Sequence, residues 1–442
     1  MHLYDPEFLF AFLPVFIGSY ALLPSAKRPI ALALANLIFL YLTGKYELIG
    51  FLIALSCAYF SGITIYNLRS APEKEPLRKK LIGANAALCI VIFILLTVLE
   101  YGGTVPIVLS PGTLYVRAVI PLHIISYLID IYRGNCAAQT RLSSLIAYAG
   151  FFPSVSFGPV LKYKCFEESF KAPELSSKKM ASGIRLYTFG LAEYLIIARR
   201  LETILTEMLS APDSLRGGTG WLFVPVFYIM FTVSVMGMIH MGSGVARMLG
   251  FYIRPAPRRT FFIADMKKRL RQINEPLAFW LDDYILKPVC KSSGRKRAAL
   301  ICAVCAGALW YGLSAGMLVT GLVVAGLITF QSELYKKRIQ PGKIAKGIIT
   351  KLLMLFAAAV CALMQLPFSA LKIFGSTSGS ENAFLEHLLY ETAIPLTFGL
   401  LISGAFLPQL VRRLNYIWLK AMIPIVETLI FIVSISFMLN IT

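Results

Sequence analysis

Long apolar blocks constrain the fold of this chain more than any other feature. A transmembrane helix needs about 20 predominantly apolar residues, and the chain has a series of blocks that approach or exceed this length. Only 15% of its 442 residues are charged, against about 25% in soluble domains. The sequence therefore predicts an all-α, polytopic membrane protein with about 11 transmembrane helices. The blocks lie near residues 8–24, 29–43, 46–67, 82–100, 184–206, 219–239, 298–316, 317–331, 347–367, 393–411 and 419–440.

Two further apolar segments, 104–131 and 141–162, are interrupted by Gly and Pro. Irregular backbone at membrane depth is tolerated only where protein or a cavity surrounds it. We therefore expect re-entrant or partly buried segments within one integral membrane domain, residues 1–442. We also expect Gly158 and Pro159 to hold a non-helical break that lines a central cavity, because Gly allows close approach and Pro lacks an N–H.

The net charge of +20 comes from Lys and Arg placed between the apolar blocks. Basic residues collect in cytoplasmic loops of membrane proteins, which explains the excess without a nucleic-acid partner. The basic segments 68–81, 252–272 and 336–346 are therefore expected in the cytoplasm. Loops 44–45 and 368–392 are poor in Lys and Arg, so they and the N-terminus are expected outside.

A few polar side chains lie in or beside apolar runs, and such groups are candidate site residues. His240 lies between an apolar span and the basic segment, and Tyr311 lies inside an apolar span. Asp130 ends an apolar run and follows His123 by seven residues, which places both on one helical face. An ion pair with Arg133 would also explain Asp130, and ordinary packing would explain Tyr311.

Segment 252–297 differs from the other basic segments because it continues into an amphipathic run over 276–284. This pattern predicts an interfacial or partly re-entrant helix, with a plain basic loop as the alternative. Cys302 and Cys305 form a CxxC pair with no second pair or His cluster nearby. We therefore expect neither a metal nor a bound cofactor.

Five segments in order resemble the membrane-bound O-acyltransferase family. Its bacterial branch contains the D-alanyl transfer protein of teichoic acids and the alginate O-acetylation protein. The agreement covers a core of about residues 115–335. The segments are IISYLIDIYRG at 124–134, FFPSVSFGP at 151–159, SGVARMLGF at 243–251, LAFWLDDY at 277–284 and ALWYG at 308–312.

The resemblance implies a ring of tilted helices around a tunnel through a bacterial cytoplasmic (inner) membrane. It also implies a thioester donor, an acyl carrier protein or acyl-CoA, on the cytoplasmic side. A cell-envelope acceptor or partner protein is expected on the outer side. The family motif GLWHG places a general-base histidine where this chain has Tyr311. A phenol, with a pKa of about 10, is a poor base at pH 7.

Two more family positions have changed together with Tyr311. His240 stands at a family Asp, and Ser234-Val235 stands where the family has Asp-Phe, whereas Asn274 stands where the family has His or Asn. We expect Tyr311, His240 and Asn274 to converge on one buried site, with His240 as a relocated base. The residues expected along the tunnel are Trp310, Gly158, Pro159, Asp130 and Trp280.

Three interpretations follow. The chain is a cell-envelope O-acyltransferase with altered catalytic residues, or a non-catalytic relative that binds or passes an acyl carrier or lipid. The third interpretation is a transporter of a lipid-linked sugar. The sequence does not specify the acyl group or the acceptor.

The topology can be tested by labelling single cysteines in intact cells. A membrane-impermeant thiol reagent should leave Glu75→Cys and Gln340→Cys unlabelled, because both positions lie in predicted cytoplasmic segments. It should label both after permeabilisation. Ser378→Cys, in the basic-poor loop 368–392, is the matched control and should be labelled in intact cells. Efficient labelling of the first two in intact cells would overturn the topology.

Overall fold

The computed structural model describes residues 1–101, 114–155, 160–171, 175–210, 221–251, 265–312, 314–336, 343–365 and 417–441. Throughout these ranges the regular elements are helices. They are α1 Leu13–Leu22, α2 Arg28–Thr43, α3 Lys45–Asn67, α4 Glu75–Tyr101, α5 Leu114–Tyr132, α6 Leu142–Ala149, α7 Phe152–Val155, α8 Tyr163–Lys171, α9 Ser177–Ala192, α10 Arg199–Ser210, α11 Phe223–Met248, α12 Met266–Ile273, α13 Glu275–Leu281, α14 Lys287–Ser293, α15 Lys296–Tyr311, α16 Ala315–Lys336, α17 Lys343–Gln365 and α18 Ile417–Ile441. Wider π-helical turns occupy Phe8–Phe12, Glu193–Ala198 and Asp282–Leu286.

Helices in the described ranges confirm the all-α, multi-pass membrane architecture. Six of them are long and apolar enough to cross a membrane. They are Ser25–Thr43, Lys45–Ser70, Pro72–Leu99, Phe223–Met248, Ala315–Tyr335 and Ala345–Ala362. The predicted span at 393–411 lies outside the described residues.

The chain divides into two compact units. The first comprises Met1–Pro106, Pro111–Tyr187 and Met238–Pro255. The second comprises Ile107–Ser110, Thr188–Gly237 and Ala256–Thr442. Helices α9 and α11 each contribute residues to both units.

In the first unit, α2 to α5 pack as neighbours, and α6 and α7 pack against α2. The break between α6 and α7 falls at Gly150 and Phe151. Asn36 of α2 is fully buried at this break. Its Nδ2 donates to the carbonyls of Ile146 and Ala147 at 3.1 Å each, and its Oδ1 accepts from the Phe152 N–H at 3.0 Å. One amide therefore satisfies backbone groups on both sides of the break.

His123 of α5 also bonds to backbone in the first unit. Its Nδ1 lies 3.2 Å from the Ala149 carbonyl, and its Nε2 lies 3.2 Å from the Leu161 N–H. A neutral imidazole with the proton on Nδ1 satisfies both contacts, since one nitrogen donates and the other accepts. The ring is fully buried against Tyr148. The His123 ring thus links the backbone of Ala149 to the backbone of Leu161 through hydrogen bonds.

In the second unit, α15, α16 and α17 pack side by side, and the short helices α12 and α13 pack on them. Asp265 caps α12 by accepting from the Lys268 N–H at 2.9 Å. The predicted amphipathic segment is therefore a chain of short helices from 266 to 293. Helix α18 packs on the π-helical turn Glu193–Ala198.

The segment 104–131 was expected to be re-entrant or partly buried, and its described part, α5, is a largely buried helix that continues through Pro121. A proline removes one helical hydrogen bond, and packing against α3 and α4 retains the helix.

One boundary prediction was wrong. The spans predicted at 298–316 and 317–331 correspond to α15, which ends at Tyr311, and α16, which begins at Ala315. Tyr311 therefore lies at the end of a helix rather than inside a span.

Replacement of Asn36 tests its role at the break. Asn36→Leu keeps the side-chain volume but leaves the Ala147 carbonyl and the Phe152 N–H without the amide. We expect the free energy of unfolding to fall by about 2–4 kcal/mol, because each buried orphaned group costs about 1–3 kcal/mol. Unfolding of purified protein in mixed micelles, followed by circular dichroism, measures this.

Asn85→Leu is the matched control. Asn85 is also buried, but its amide bonds to the Ser61 hydroxyl and to the Leu81 carbonyl of its own helix. We expect a loss of under about 1 kcal/mol, since the helical backbone bonds remain. Equal losses for the two variants would contradict the proposed role of Asn36.

Candidate functional site

Asn274 and Tyr311 are placed by the ends of two helices in the second unit. Asn274 precedes α13 and caps it, because its Oδ1 accepts from the Leu277 N–H at 3.1 Å. Tyr311 is the last residue of α15, and Gly312 follows in an extended conformation. Ser314 then caps α16 by accepting from the Met317 N–H at 3.1 Å. Each side chain is thus fixed where one helix begins or ends.

The two side chains meet in a long hydrogen bond. Nδ2 of Asn274 donates to the Tyr311 hydroxyl at 3.4 Å. The Tyr311 ring packs edge-on against Phe231, with ring centroids 5.1 Å apart. The phenol oxygen accepts in this bond, and a phenol O–H is itself a hydrogen-bond donor. The pair is therefore suited to polarising a carbonyl oxygen rather than to removing a proton.

An apolar cavity of about 200 Å³ adjoins this pair. It is walled by α11, α12, α13, α15, α16 and α17, and all of its lining residues belong to the second unit. Its apolar lining includes Leu270, Leu277, Leu281, Leu300, Val304, Met317, Val324, Ile328, Met354 and Ala358. Its polar lining comprises Tyr228, Lys267, Arg271, Asn274, Asp282, Tyr311 and Thr320.

Most of the polar residues of this cavity were not identified as site residues from the sequence. Lys267 and Arg271 are four residues apart on α12 and therefore share a face. Arg271 bonds to Asp282, with Nη2 2.7 Å from Oδ2. Tyr228 lies one turn from Phe231 on α11. The i, i+4 spacing of the two cations is a signal, but the segment was interpreted only as a basic cytoplasmic stretch.

The helix that carries His240 extends further than the span predicted at 219–239. His240 is inside α11 rather than after it, and it is fully buried in the first unit. Helix α11 continues to Met248, where the close approach of Gly244 to Gly183 leaves no room for a Cβ atom at either position. Because Asn274 and Tyr311 belong to the second unit, convergence of His240 with them stays a prediction.

The expected tunnel residues occupy several places. Asp130 is buried in the first unit and accepts from Nδ2 of Asn135 at 3.1 Å. Trp280 is buried in the second unit against Tyr284. Trp310 packs edge-on against the Tyr311 ring. Gly158 and Pro159 lie outside the described residues, so the break predicted there stays a prediction. That these five residues line a tunnel stays a prediction.

In the described ranges, no group of three or more His, Cys, Asp or Glu side chains is placed to hold a metal ion.

Two comparisons bear on this site. A model of the membrane-bound O-acyltransferase family matches residues 138–369, more than half of the chain. Every residue that lines the cavity falls within this match.

Curated relatives agree with the family match. Three carry the name "Probable alginate O-acetylase AlgI". Those of Azotobacter vinelandii, Pseudomonas syringae pv. tomato and Pseudomonas aeruginosa are 24%, 25% and 25% identical over 328, 338 and 341 residues. Each alignment covers 71% of this chain and 65%, 63% and 62% of the respective relative. The chain thus spans less than two thirds of the length of these relatives.

Substitutions at two glycines of α16, Gly321 and Gly326, test the packing of the cavity wall. A Cβ atom at Gly321 would lie 2.9 Å from the Cα of Cys305 and 3.0 Å from the Cβ of Ala308. Gly321→Ala should therefore push α16 away from α15 and destabilise the protein by about 1–3 kcal/mol. The measurement is again unfolding in mixed micelles.

Gly326→Ala is the control on the same helix, since a Cβ atom there would meet nothing within 4 Å. It should leave stability unchanged or raise it by up to about 1 kcal/mol, because Ala favours helices over Gly. A loss of similar size in both variants would show that the close approach at Gly321 does not matter.

Proposed function

Because this chain belongs to the membrane-bound O-acyltransferase family, we propose that it transfers an acyl group from a thioester to a hydroxyl of a cell-envelope polymer or glycan. The name of the curated relatives supports an acetyl group and a polysaccharide hydroxyl as the first substrates to test. The observation that carries the proposal is the Asn274–Tyr311 pair beside an apolar cavity.

In this proposal the thioester carbonyl lies against the Tyr311 hydroxyl. The acceptor oxygen forms a bond to the carbonyl carbon, the carbon–sulfur bond breaks, and the products are an ester and a thiol. Negative charge develops on the carbonyl oxygen during the attack. The Tyr311 O–H donates to that oxygen, and the Asn274 amide holds the phenol in place.

The step also needs a base for the acceptor hydroxyl. His240 is our candidate, because imidazole, unlike phenol, is a side chain suited to accepting a proton near pH 7. His240→Ala tests this role directly, and full activity in that variant would remove His240 from the mechanism.

A non-catalytic relative that binds or passes an acyl carrier or lipid is the second candidate function. The observation that favours it is Tyr311 at the position where the family motif has histidine. A purified protein that binds thioester donors but transfers no acyl group would support it. Movement of a lipid-linked sugar across vesicles without chemical change would instead support a transporter.

We further propose that the protein lies in a bacterial cytoplasmic membrane with its N-terminus outside. The donor, an acyl carrier protein or acyl-CoA, then approaches from the cytoplasm. The acceptor, or a protein that delivers it, approaches from the outer side. The basic segments expected on the cytoplasmic face support this arrangement.

The decisive experiment is an acyl-transfer assay of purified protein with a panel of thioester donors. Tyr311→Phe removes only the hydroxyl, so kcat should fall about a hundredfold or more, the usual cost of losing one oxyanion donor. Asn274→Asp keeps a capping oxygen for α13 but cannot donate an amide N–H. It should lose activity at nearly unchanged stability.

Tyr41→Phe is the matched control, because Tyr41 is exposed on α2. Its activity should equal that of the parent protein. An unchanged rate in Tyr311→Phe would contradict the role of the phenol.

A further inference from the structure

The cavity of the second unit has a basic mouth. Lys267 and Arg271 line it from one face of α12, and Lys267 is exposed. The cavity therefore reaches the surface beside these two cations.

Arg271 is held at this mouth by two groups. Its guanidinium bonds to the Asp282 carboxylate at 2.7 Å and lies over the Phe279 ring, 5.4 Å from the centroid. The Arg271 side chain is 39% exposed, and that of Asp282 is 19% exposed. An ion pair with this much solvent contact is weak, so a better anion can replace the carboxylate. Asp282 also begins a π-helical turn, a feature frequent at functional sites.

The charged residues that line the cavity are two cations and one carboxylate. The buried Arg269 lies beside the cavity, over the ring of the lining residue Tyr228. The neighbouring carboxylate of Asp283 bonds to Lys287. A ligand that fits this cavity is therefore anionic at the mouth and slender beyond it.

Lys267 and the Tyr311 hydroxyl lie toward different ends of the cavity. The Met266 N–H, one residue before Lys267, donates to Gln331 at 2.8 Å, and the nearby Glu333 bonds to Arg297 at the start of α15 at 2.9 Å. Arg271 lies further along α12, three residues before Asn274, whose amide bonds to Tyr311 at the end of α15. The cavity follows α15 from Leu300 to Tyr311, which is about 16 Å at 1.5 Å per residue.

We propose that Lys267 and Arg271 bind the phosphate of a phosphorylated thioester donor, and that the Arg271–Asp282 ion pair is a latch which this phosphate opens. The inference rests on the proposed acyl transfer, because it assumes a donor whose thioester reaches Tyr311. A phosphomonoester such as phosphopantetheine carries up to two negative charges, against one for a carboxylate, and it can likewise accept two parallel bonds from one guanidinium. When the phosphate binds, Arg271 exchanges its weak ion pair with Asp282 for a stronger ion pair with the phosphate.

The test is equilibrium binding to the full-length protein in a non-ionic detergent, with phosphopantetheine and pantetheine as the two probes. The parent protein should bind phosphopantetheine about ten- to a hundredfold more tightly. Arg271→Gln and Lys267→Gln should each reduce this preference and leave pantetheine binding unchanged. Asp282→Asn removes the competing carboxylate and should tighten phosphopantetheine binding. These opposite signs are the signature of a latch, since a purely structural ion pair would weaken binding in both Arg271→Gln and Asp282→Asn.

Lys291→Gln is the matched control, because Lys291 is exposed on α14 and does not line the cavity. It should bind both probes like the parent. Equal affinity of the parent for the two probes, or weaker phosphopantetheine binding in Asp282→Asn, would overturn the proposal. So would an Arg271-dependent affinity for phosphatidylglycerol that phosphopantetheine does not share, since the phosphate would then belong to a lipid headgroup.

The binding test needs no turnover, so it separates this inference from the proposed function. If the protein prefers phosphopantetheine to pantetheine but transfers no acyl group from any donor, the proposed acyltransferase function is rejected and the phosphate site is retained. If it transfers acyl groups but does not prefer phosphopantetheine, the phosphate latch is rejected and the acyltransferase function is retained.

Discussion

The amide of Asn36 makes three hydrogen bonds to backbone groups at the break between α6 and α7. Away from water, a helix that stops must find partners for its last carbonyls and for the N–H groups that follow. His123 meets the same requirement for Ala149 and Leu161. The first unit can interrupt its helices in an apolar interior because neighbouring helices supply these polar side chains.

In the second unit, too, a polar side chain satisfies backbone groups at a helix end, and here that end lies beside the cavity. Asn274 begins α13 by accepting from one backbone N–H, and its remaining amide group bonds to Tyr311. A single side chain thus fixes both a helix terminus and the phenol beside the cavity. The residue that satisfies a backbone group is thus also one that lines the cavity, so a substitution at Asn274 affects the helix terminus and the cavity wall together.

The sequence predicted the helical class and about 11 spans, and six of these spans correspond to membrane-length helices in the described ranges. Apolar blocks carry that information. The ordered motifs also brought Asn274 and Tyr311 into one predicted site together with His240; the first two share a hydrogen bond, and the convergence of His240 with them stays a prediction. The sequence did not locate the helix ends. The glycines and prolines of segment 141–162 predicted a break, but it was expected at Gly158 and Pro159. The break at Gly150 is bonded by Asn36, more than a hundred residues away, and the local sequence does not show that partner. The cavity mouth was missed for a related reason. Helices α12 to α14 are short and largely polar, so periodicity alone does not show which side chains point inward.

The π-helical turn at Asp282–Leu286 has a consequence for how the mouth tolerates change in chain length. A π-helical turn holds one residue more than an α-helical turn, so it behaves like a single-residue insertion absorbed within a helix. Deleting one residue there would restore regular α-helix, and α14 would keep its present face toward its neighbours. Counted by residue number, the helical faces of α14 are therefore offset by one residue from those of α13. A one-residue deletion within α13 or α14 has no extra residue to remove, so it would rotate everything that follows by about 100°.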